Sequence, residues 1–507
     1  MPLFNSILTW VMKKRIHQIE LFQKYPFDVQ NELLESLLQN AKRTVYGEKY
    51  AFHEIKNGHQ FAERVPVVTY ESLYPYIDRL MKGEQNILWP SEIKWFAKSS
   101  GTTNDRSKFI PVSEEALEDC HMKGGKDMLS LYINNYPDSQ MFTGKSLVIG
   151  GSQQVNQFDG HGKSRYGDVS AVILKNLPFW AHLVRTPNMK IALMDEWESK
   201  IEKMAAHTSE EYVTSMAGVP TWTIVLFERI LKDRNLEHIV DIWPGIEIFF
   251  HGAVSFIPYK DLIGKLIGKP SMRYLETYNA SEGFFGIQDL KEPGSMLLML
   301  DYGIYYEFIP AGSFDEENPR TIPLSEVEIG KNYAMVITTN AGLWRYKIGD
   351  TVRFTSLDPF RIIITGRTKH FINAFGEELI IENAEQAISE ACRKTNAEIV
   401  NFTAAPHFMS GESKGAHEWA IEFSSDPDNL GRFGQILDEK LREINSDYDA
   451  KRYRDLALQI PVIHQVKKGS FHSWMKKRGK LGGQNKVPRL SNSRKYLEGI
   501  LMTANGQ

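Results

Sequence analysis

Four short polar strings in this chain carry side chains suited to chemistry. Ser99-Ser100-Gly101-Thr102-Thr103 gathers hydroxyls, backbone amides and a flexible glycine, with Lys108 close behind. Oriented N–H groups, hydroxyls and a point charge are what a loop must offer a polyphosphate. It is not a Walker-type loop. Gly-Lys-Ser does occur, at Gly144-Lys145-Ser146 and Gly162-Lys163-Ser164, but Ser139 and Gln157 stand where that loop needs its first glycine. The second string, Thr277-Tyr278-Asn279-Ala280-Ser281-Glu282-Gly283, follows strand-like Met272 to Leu275 and reads as a turn bearing a ring and a carboxylate. Such a ring can stack on adenine, and such a carboxylate can help hold the magnesium that accompanies ATP. In the third, Gly342-Leu343-Trp344-Arg345-Tyr346-Lys347-Ile348-Gly349-Asp350, a short carboxylate directly follows a glycine and is placed to accept paired ribose hydroxyls. The fourth, Gly482-Gly483-Gln484-Asn485-Lys486-Val487-Pro488-Arg489, presents Lys486 and Arg489 on a glycine-rich segment. Taken singly, each also reads as a turn, a strand end or a solvated basic tail.

Elements must bring these strings together. Helical spacing of apolar residues predicts helices over Phe27 to Lys42 and Tyr70 to Leu80, followed by an extended approach, Asn86 to Ala97, into the first polar string. Strands at Ser146 to Gly151 and Ile246 to Phe250 alternate with helices at Ser199 to His207 and Trp222 to Asp233, which is α/β texture. Beyond residue 290 the signals turn to antiparallel strands: Met296 to Leu300, Ile304 to Ile309, Tyr333 to Thr339 and Phe360 to Thr365. A helix (Glu382 to Thr395), two strands (Glu398 to Ala404, Glu418 to Ser424) and another helix (Asp428 to Asn445) then outline a separate α+β domain.

At 507 residues the chain exceeds a single compact core, and 42% hydrophobic with 24% charged residues is an ordinary folded composition. A net charge of -3 supplies no global field for nucleic acid or anionic membrane. Locally, the stretch from Leu456 to Leu497 has ten Lys or Arg and no Asp or Glu, which keeps a nucleic-acid-binding reading through Lys467 to Lys495, Phe471 and Trp474 as a competitor. Two distant cysteines, Cys120 and Cys392, exclude a disulfide framework or a cysteine-rich zinc site and suit a reducing, cytoplasmic setting. No apolar run is long enough to span a bilayer. Pro2 to Met12 followed by Lys13-Lys14-Arg15 reverses the order of a secretory signal and reads as an amphipathic helix packed on its own domain, with a membrane-surface helix as the alternative.

In this order the four strings, together with Val65-Pro66-Val67-Val68-Thr69-Tyr70, resemble the adenylate-forming superfamily that includes acyl-CoA synthetases and luciferase. More narrowly, the chain resembles a bacterial-type member of the Gretchen Hagen branch, the auxin-responsive acyl-acid amido synthetases. The Gly-Leu-aromatic-Arg-Tyr-x-x-Gly-Asp string at 342–350 is the most specific part. The resemblance implies an α/β fold: a large N-terminal adenylation domain, residues 1–366, of sheets flanked by helices plus a β-barrel-like part, and a small mobile α+β domain, residues 367–507. It implies that Ser99, Ser100, Gly101, Thr102 and Thr103 hold phosphates with Lys108 assisting. It further implies that Thr277, Tyr278, Asn279, Ala280 and Ser281 frame the nucleotide, Glu282 holds magnesium, Asp350 binds ribose, Arg367 marks the hinge beside the nucleotide, and Lys486 neutralises charge at the α-phosphate. ATP, Mg2+, a carboxylic acid and an amine or amino acid are the implied ligands, with no nucleic acid and no stable membrane insertion. An acyl-CoA ligase sharing the first half-reaction is the alternative. The sequence departs from the pattern at Asn104-Asp105-Arg106, where glycines are usual, at Asn279, and at Lys369, where an acidic residue is usual. Phe179-Trp180 and Ala217-Gly218-Val219-Pro220-Thr221-Trp222 are candidates for the acyl pocket. Oligomeric state and the identity of acid and amine are not encoded in these strings.

Overall fold

The computed structural model describes residues 10–504 except 11, 13, 100–107, 151–155, 159–162, 178, 195–196, 253–255, 315, 317, 368–371, 373–378, 408–414, 446–447, 450–451, 453–457, 479–486 and 492. The chain forms two compact units, Met1–Ala253 with Leu266–Ile364, and Val254–Lys265 with Thr365–Gln507. The excursion at 254–265 has no signal in the sequence. Among the described residues no helix is long and apolar enough to cross a membrane.

The larger unit opens with helices. Pro26–Ala41 starts on a proline, whose fixed φ suits a first turn, and buries Leu34, Leu37, Leu38 and Ala41 along one stripe. The short helix Val45–Lys49 has its first amides satisfied by the carbonyls of Asn86 and Ile87, at 3.0 Å each. That duty keeps most of the expected 86–97 extension out of any sheet, and only Trp95–Ser99 forms a strand. It lies in a four-stranded sheet with Lys108–Val112, Arg165–Gly167 and Asn156–Gln157.

The main sheet has twelve strands. One half is parallel, in the order Arg273–Ala280, Ile248–Gly252, Val213–Gly218, Lys145–Ile149, Arg185–Thr186. Ile248, Phe249 and Phe250 are all buried, as strands covered on both faces must be. Helix Pro220–Arg234 makes the crossover between Val213–Gly218 and Ile248–Gly252. The other half continues through Gly283–Ile287, Met296–Leu298, Phe360–Arg367, Tyr346–Leu357, Asn332–Thr339, Ile304–Pro310 and Ile322–Pro323. This mixed α/β architecture is the expected class, and the change of texture after residue 290 is the passage from the parallel to the antiparallel half. Two differences bear on the site. The expected turn at 277–280 is strand, because Thr277 pairs with Gly252 on one side and Ile287 on the other. The strand Tyr346–Leu357, hidden by Lys347, Gly349, Asp350 and Arg353, was not foreseen.

In the smaller unit, Glu398–His407 and Ala416–Ser425 are antiparallel and Val462–Val466 adds in parallel. Trp419, Ile421 and Phe402 share one core with residues of helices Ile381–Thr395 and Leu430–Ile444, while Ala420, Ala405 and Val466 share a second with Phe471, Leu497 and Ile500. The basic tail is therefore part of the folded unit, supplying helices Ser470–Lys477 and Lys495–Ala504.

Candidate active site

Strands Trp95–Ser99 and Lys108–Val112 are antiparallel with Ser99 opposite Lys108, so residues 100–107 are the connection between paired strands. Ser100, Gly101, Thr102 and Thr103 lie outside the described residues, as does the Ser99 side chain. The base of the connection is anchored. The Phe109 amide donates to the Tyr70 hydroxyl at 2.8 Å, and the Lys108 ammonium lies 5.7 Å from the Tyr70 ring centre.

The parallel strands end together at Gly218, Gly252 and Ala280, the edge where open α/β sheets take their ligands. The approach is close: a Cβ on Gly252 would sit 2.4 Å from the Thr277 carbonyl oxygen, and the Thr277 hydroxyl donates to the His251 carbonyl at 3.2 Å. Along this edge Thr277, Tyr278 and Ser281 are buried, Ala280 and Glu282 are half-buried, and Asn279 is exposed.

Asp350 reaches the same place through a bulge. Ala334 pairs with Thr351 and Val336 with Lys347, so Met335 alone opposes Ile348, Gly349 and Asp350. Gly349 takes φ +92°, which a side chain would resist. The Tyr278 hydroxyl donates to Asp350 Oδ2 at 2.7 Å, and both residues are buried. With 5% of its surface exposed, Tyr278 presents little open ring face and acts chiefly through that hydroxyl.

The residues just before Asp350 are framework. Trp344 is fully buried, its indole N–H donates to the Leu88 carbonyl at 2.9 Å, and its ring centre lies 4.5 Å from that of Phe52. Arg345, at a left-handed φ of 44°, forms paired 2.9 Å bonds to the two Glu307 oxygens and also donates to Thr321 Oγ1 and to the carbonyls of Ala62 and Val65. Its own carbonyl accepts from the Val68 amide at 3.0 Å, and the Lys347 amide donates to the Val68 carbonyl at 2.8 Å. The Val65 to Tyr70 segment and the 342–350 string are thus two sides of one contact that fixes the strand bearing Asp350.

In the smaller unit Lys486 lies outside the described residues, and Arg367 ends its strand with its side chain outside them. The residues after Lys486 are docked. The Ala404 amide donates to the Arg489 carbonyl at 2.8 Å, the Ser491 amide donates to the Ala404 carbonyl at 3.1 Å, and the Thr403 hydroxyl donates to the Pro488 carbonyl at 2.6 Å. The Arg489 guanidinium donates to Asn401 Oδ1 at 2.7 Å and to the Tyr259 hydroxyl, and lies 4.6 Å from the Phe402 ring centre.

One charged residue near the site escaped the motif reading. Glu276 lies two residues before Tyr278 on the same face of the strand, in register with His251 next door. Burial pushes the Glu276 carboxyl up to about 6 and the His251 imidazole down to about 3. Its signal in the sequence is a carboxylate directly after the apolar pair Tyr274-Leu275. Of the acyl-pocket candidates, Gly218 ends its strand with no room for a side chain, since a Cβ would meet Ile149 Cβ at 2.9 Å. The side chains of Phe179, Trp180 and Thr221 lie outside the described residues.

Comparison with known proteins bears on the family and the fold. The GH3 family N-terminal, central and C-terminal domains match residues 15–272, 297–367 and 382–495. The chain belongs to the GH3 family. The indole-3-acetic acid-amido synthetase GH3.3 of Arabidopsis thaliana is 23% identical over 96% of this chain and 93% of its own length. The jasmonoyl-L-amino acid synthetase JAR4 of Nicotiana attenuata is 23% identical over 90% and 89%. Among solved structures, the AtGH3.15 acyl acid amido synthetase in complex with 2,4-DB superposes with a TM-score of 0.81 at 18% identity, covering 97% of this chain and 96% of that one. A 2-hydroxyisobutyryl-CoA ligase superposes with a TM-score of 0.62 at 13% identity, covering 94% and 92%. The fold is that of adenylate-forming enzymes.

Proposed function

We propose that this protein is an ATP-dependent acyl acid amido synthetase that activates a carboxylic acid as its acyl adenylate and transfers the acyl group to an amine, in keeping with relatives that are amido synthetases over nearly their whole length. The observation that carries the reading is the buried Tyr278–Asp350 pair at the carboxyl edge of the parallel strands. Asp350, its orientation held by Tyr278 and by the bulge at Gly349, accepts the ribose hydroxyls. Residues Ser99 to Thr103 receive the phosphates, with Lys108 as a nearby point charge. The half-buried Glu282 lies two residues beyond the end of the strand that carries Tyr278 and suits a hard cation that prefers one or two carboxylates plus phosphate oxygens. Magnesium bound there would offset phosphate charge.

In the first step an oxygen of the acid attacks the α-phosphorus, the bond to the β-phosphate oxygen breaks, and pyrophosphate leaves. Lys486 offsets the negative charge that grows on the α-phosphate. In the second step an amine nitrogen attacks the activated carbonyl, AMP departs, and the amine proton passes to solvent. An amino acid is the acceptor class favoured by the relatives' names. Pyrophosphate exchange into ATP, measured over a panel of carboxylic acids, tests the first step, and amide formation with amino acids, with coenzyme A in parallel, tests the second. No exchange with any acid, while ATP binds, refutes adenylation. Thioester without amide refutes the acceptor.

A further inference from the structure

Where the parallel strands end, one row of residues crosses three of them: Gly218 pairs with His251, and His251 with Glu276. Partners in register point to the same face of a sheet, and so do residues two apart on one strand. Glu276 therefore shares the face of Tyr278, with their Cα atoms about 6.6 Å apart. Gly218 brings no side chain to the row, and burial holds the His251 imidazole neutral, down to about 3. Of the three, Glu276 alone carries charge at pH 7. Its backbone is fixed by the residue that follows strand Gly283–Ile287: the amide donates to Gln288 Oε1 at 3.1 Å, and the carbonyl accepts from the Gln288 amide at 2.9 Å.

The carboxylate itself holds no part of the fold. It is half-buried, so a ligand can reach it, and among the described residues it has no hydrogen-bond or ion-pair partner. A glutamine of the same shape would pack there without the cost of taking a charge out of water. A carboxylate kept at such a cost beside a ligand-binding edge marks a working group. Burial pushes it up to about 6, so at pH 7 it is ionised and a stronger base than an ordinary glutamate. Tyr278 ties it to the reaction. The Tyr278 hydroxyl bonds Asp350, the ribose acceptor, and the α-phosphate hangs from that ribose through a single carbon. The acyl carbonyl activated on that phosphate therefore forms beside the strand that carries Glu276.

We propose that Glu276 is the base for the acceptor amine in the second step. The amine nitrogen attacks the carbonyl, the nitrogen–carbon bond forms, and the nitrogen becomes positively charged and acidic. Glu276 takes its proton, the bond from the carbonyl carbon to the AMP oxygen breaks, and the carboxyl returns the proton to solvent. The inference rests on the amido synthetase reading and adds a catalytic residue to it. Its test follows wild type, Glu276→Gln and Glu276→Asp through three readouts with one acid that supports exchange: pyrophosphate exchange, hydroxamate formed with hydroxylamine, and amide formed with glycine, alanine or glutamate. Hydroxylamine is neutral at pH 7 and gives up its proton readily to water, so it traps the acyl adenylate without a protein base. Glu276→Gln should lower kcat for amide formation by about 100-fold or more, the scale of a lost general base, with far smaller effects on exchange and hydroxamate. Glu276→Asp should keep part of the amide rate, and carries the comparison should the glutamine variant not fold. Amide formation at the wild-type rate, or loss of all three readouts by one common factor, overturns the role of Glu276 alone. No exchange with any acid in wild type overturns the amido synthetase reading and this inference with it.

Discussion

The Tyr278 hydroxyl and the Asp350 carboxylate share a 2.7 Å hydrogen bond although their strands are not neighbours. Three strands, Gly283–Ile287, Met296–Leu298 and Phe360–Arg367, separate them in the sheet. Four strand spacings of about 4.8 Å would put them about 19 Å apart in a flat sheet, beyond the reach of a tyrosine and an aspartate. The antiparallel half must therefore curl, and the two side chains meet across its concave face.

Removing the carboxylate tests what that meeting is for. Asp350→Ala should weaken ATP binding by about 1.5–3 kcal/mol, the scale of a charge-assisted hydrogen bond, and it leaves the Tyr278 hydroxyl buried without this acceptor. Tyr278→Phe keeps the carboxylate and loses only the bond that orients it, so its loss should be smaller, about 0.5–1.5 kcal/mol. Calorimetry with ATP measures both. Unchanged affinity in Asp350→Ala removes Asp350 from the nucleotide site.

A different outcome is expected at the Arg345–Glu307 pair, which links the start of Asp350's strand to a strand two places away. Arg345 and Glu307 are both buried and bonded through two 2.9 Å contacts, so removing either leaves an uncompensated charge in the interior. Glu307→Ala or Arg345→Ala should destabilise the larger unit by about 3–5 kcal/mol in urea unfolding. ATP affinity of the protein that remains folded should change little, because the bonds of the pair go to Thr321, Ala62 and Val65 and not to Asp350. A variant of normal stability with lost ATP binding would reverse that assignment.

How much of this was legible in the sequence depends on range. Helix Pro26–Ala41 and strand Asn332–Thr339 lie within a residue or so of where apolar periodicity puts them, since their signal is local. Strand Tyr346–Leu357 is hidden in the sequence because Lys347, Gly349, Asp350 and Arg353 obscure its apolar alternation. Helix Ser470–Lys477 was read as a basic tail because the group that starts it comes from far away. Both oxygens of Glu422 accept from its first turn and entry, from the Gly469 amide at 2.8 Å and the Phe471 amide at 3.1 Å. The 342–350 string reads as one unit in the sequence, and only in three dimensions do Trp344 and Arg345 turn to Leu88 and Glu307 while Asp350 turns to Tyr278.

Chemistry and binding should separate at Lys486. Its charge is assigned to the transition state of adenylate formation, so Lys486→Ala should lower kcat for that step by about 100-fold or more, with a smaller effect on ATP affinity. Arg489 is held by Asn401, Tyr259 and Phe402, and serves to dock the chain that follows the lysine. Arg489→Ala should therefore lower kcat less than Lys486→Ala and leave ATP affinity unchanged, as read by single-turnover kinetics and calorimetry. Near-normal adenylation by Lys486→Ala moves the role to another cation, with Lys480 the first to test.

The remaining prediction concerns pH and comes from Glu276. Its folded-state carboxyl is raised from an ordinary 4.5 to about 6 by burial, so between those values the folded protein binds more protons at this site than the unfolded chain does. Stability rises with pH only where the unfolded state binds more protons, so here the sign is negative: the contribution is full below pH 4.5 and is lost as pH rises through about 6. Glu276→Gln has no charge to bury. Compared with wild type it should gain about 1 kcal/mol at pH 8, with that gain largely absent at pH 4.5, after allowing for partial exposure of the side chain. The neighbouring His251, held down to about 3, stays neutral throughout this window and does not mask the effect. Urea midpoints of the two proteins at several pH values measure the difference, with every other titrating group common to both. A gap that is the same at pH 4.5 and pH 8 would show that the Glu276 carboxyl titrates alike folded and unfolded.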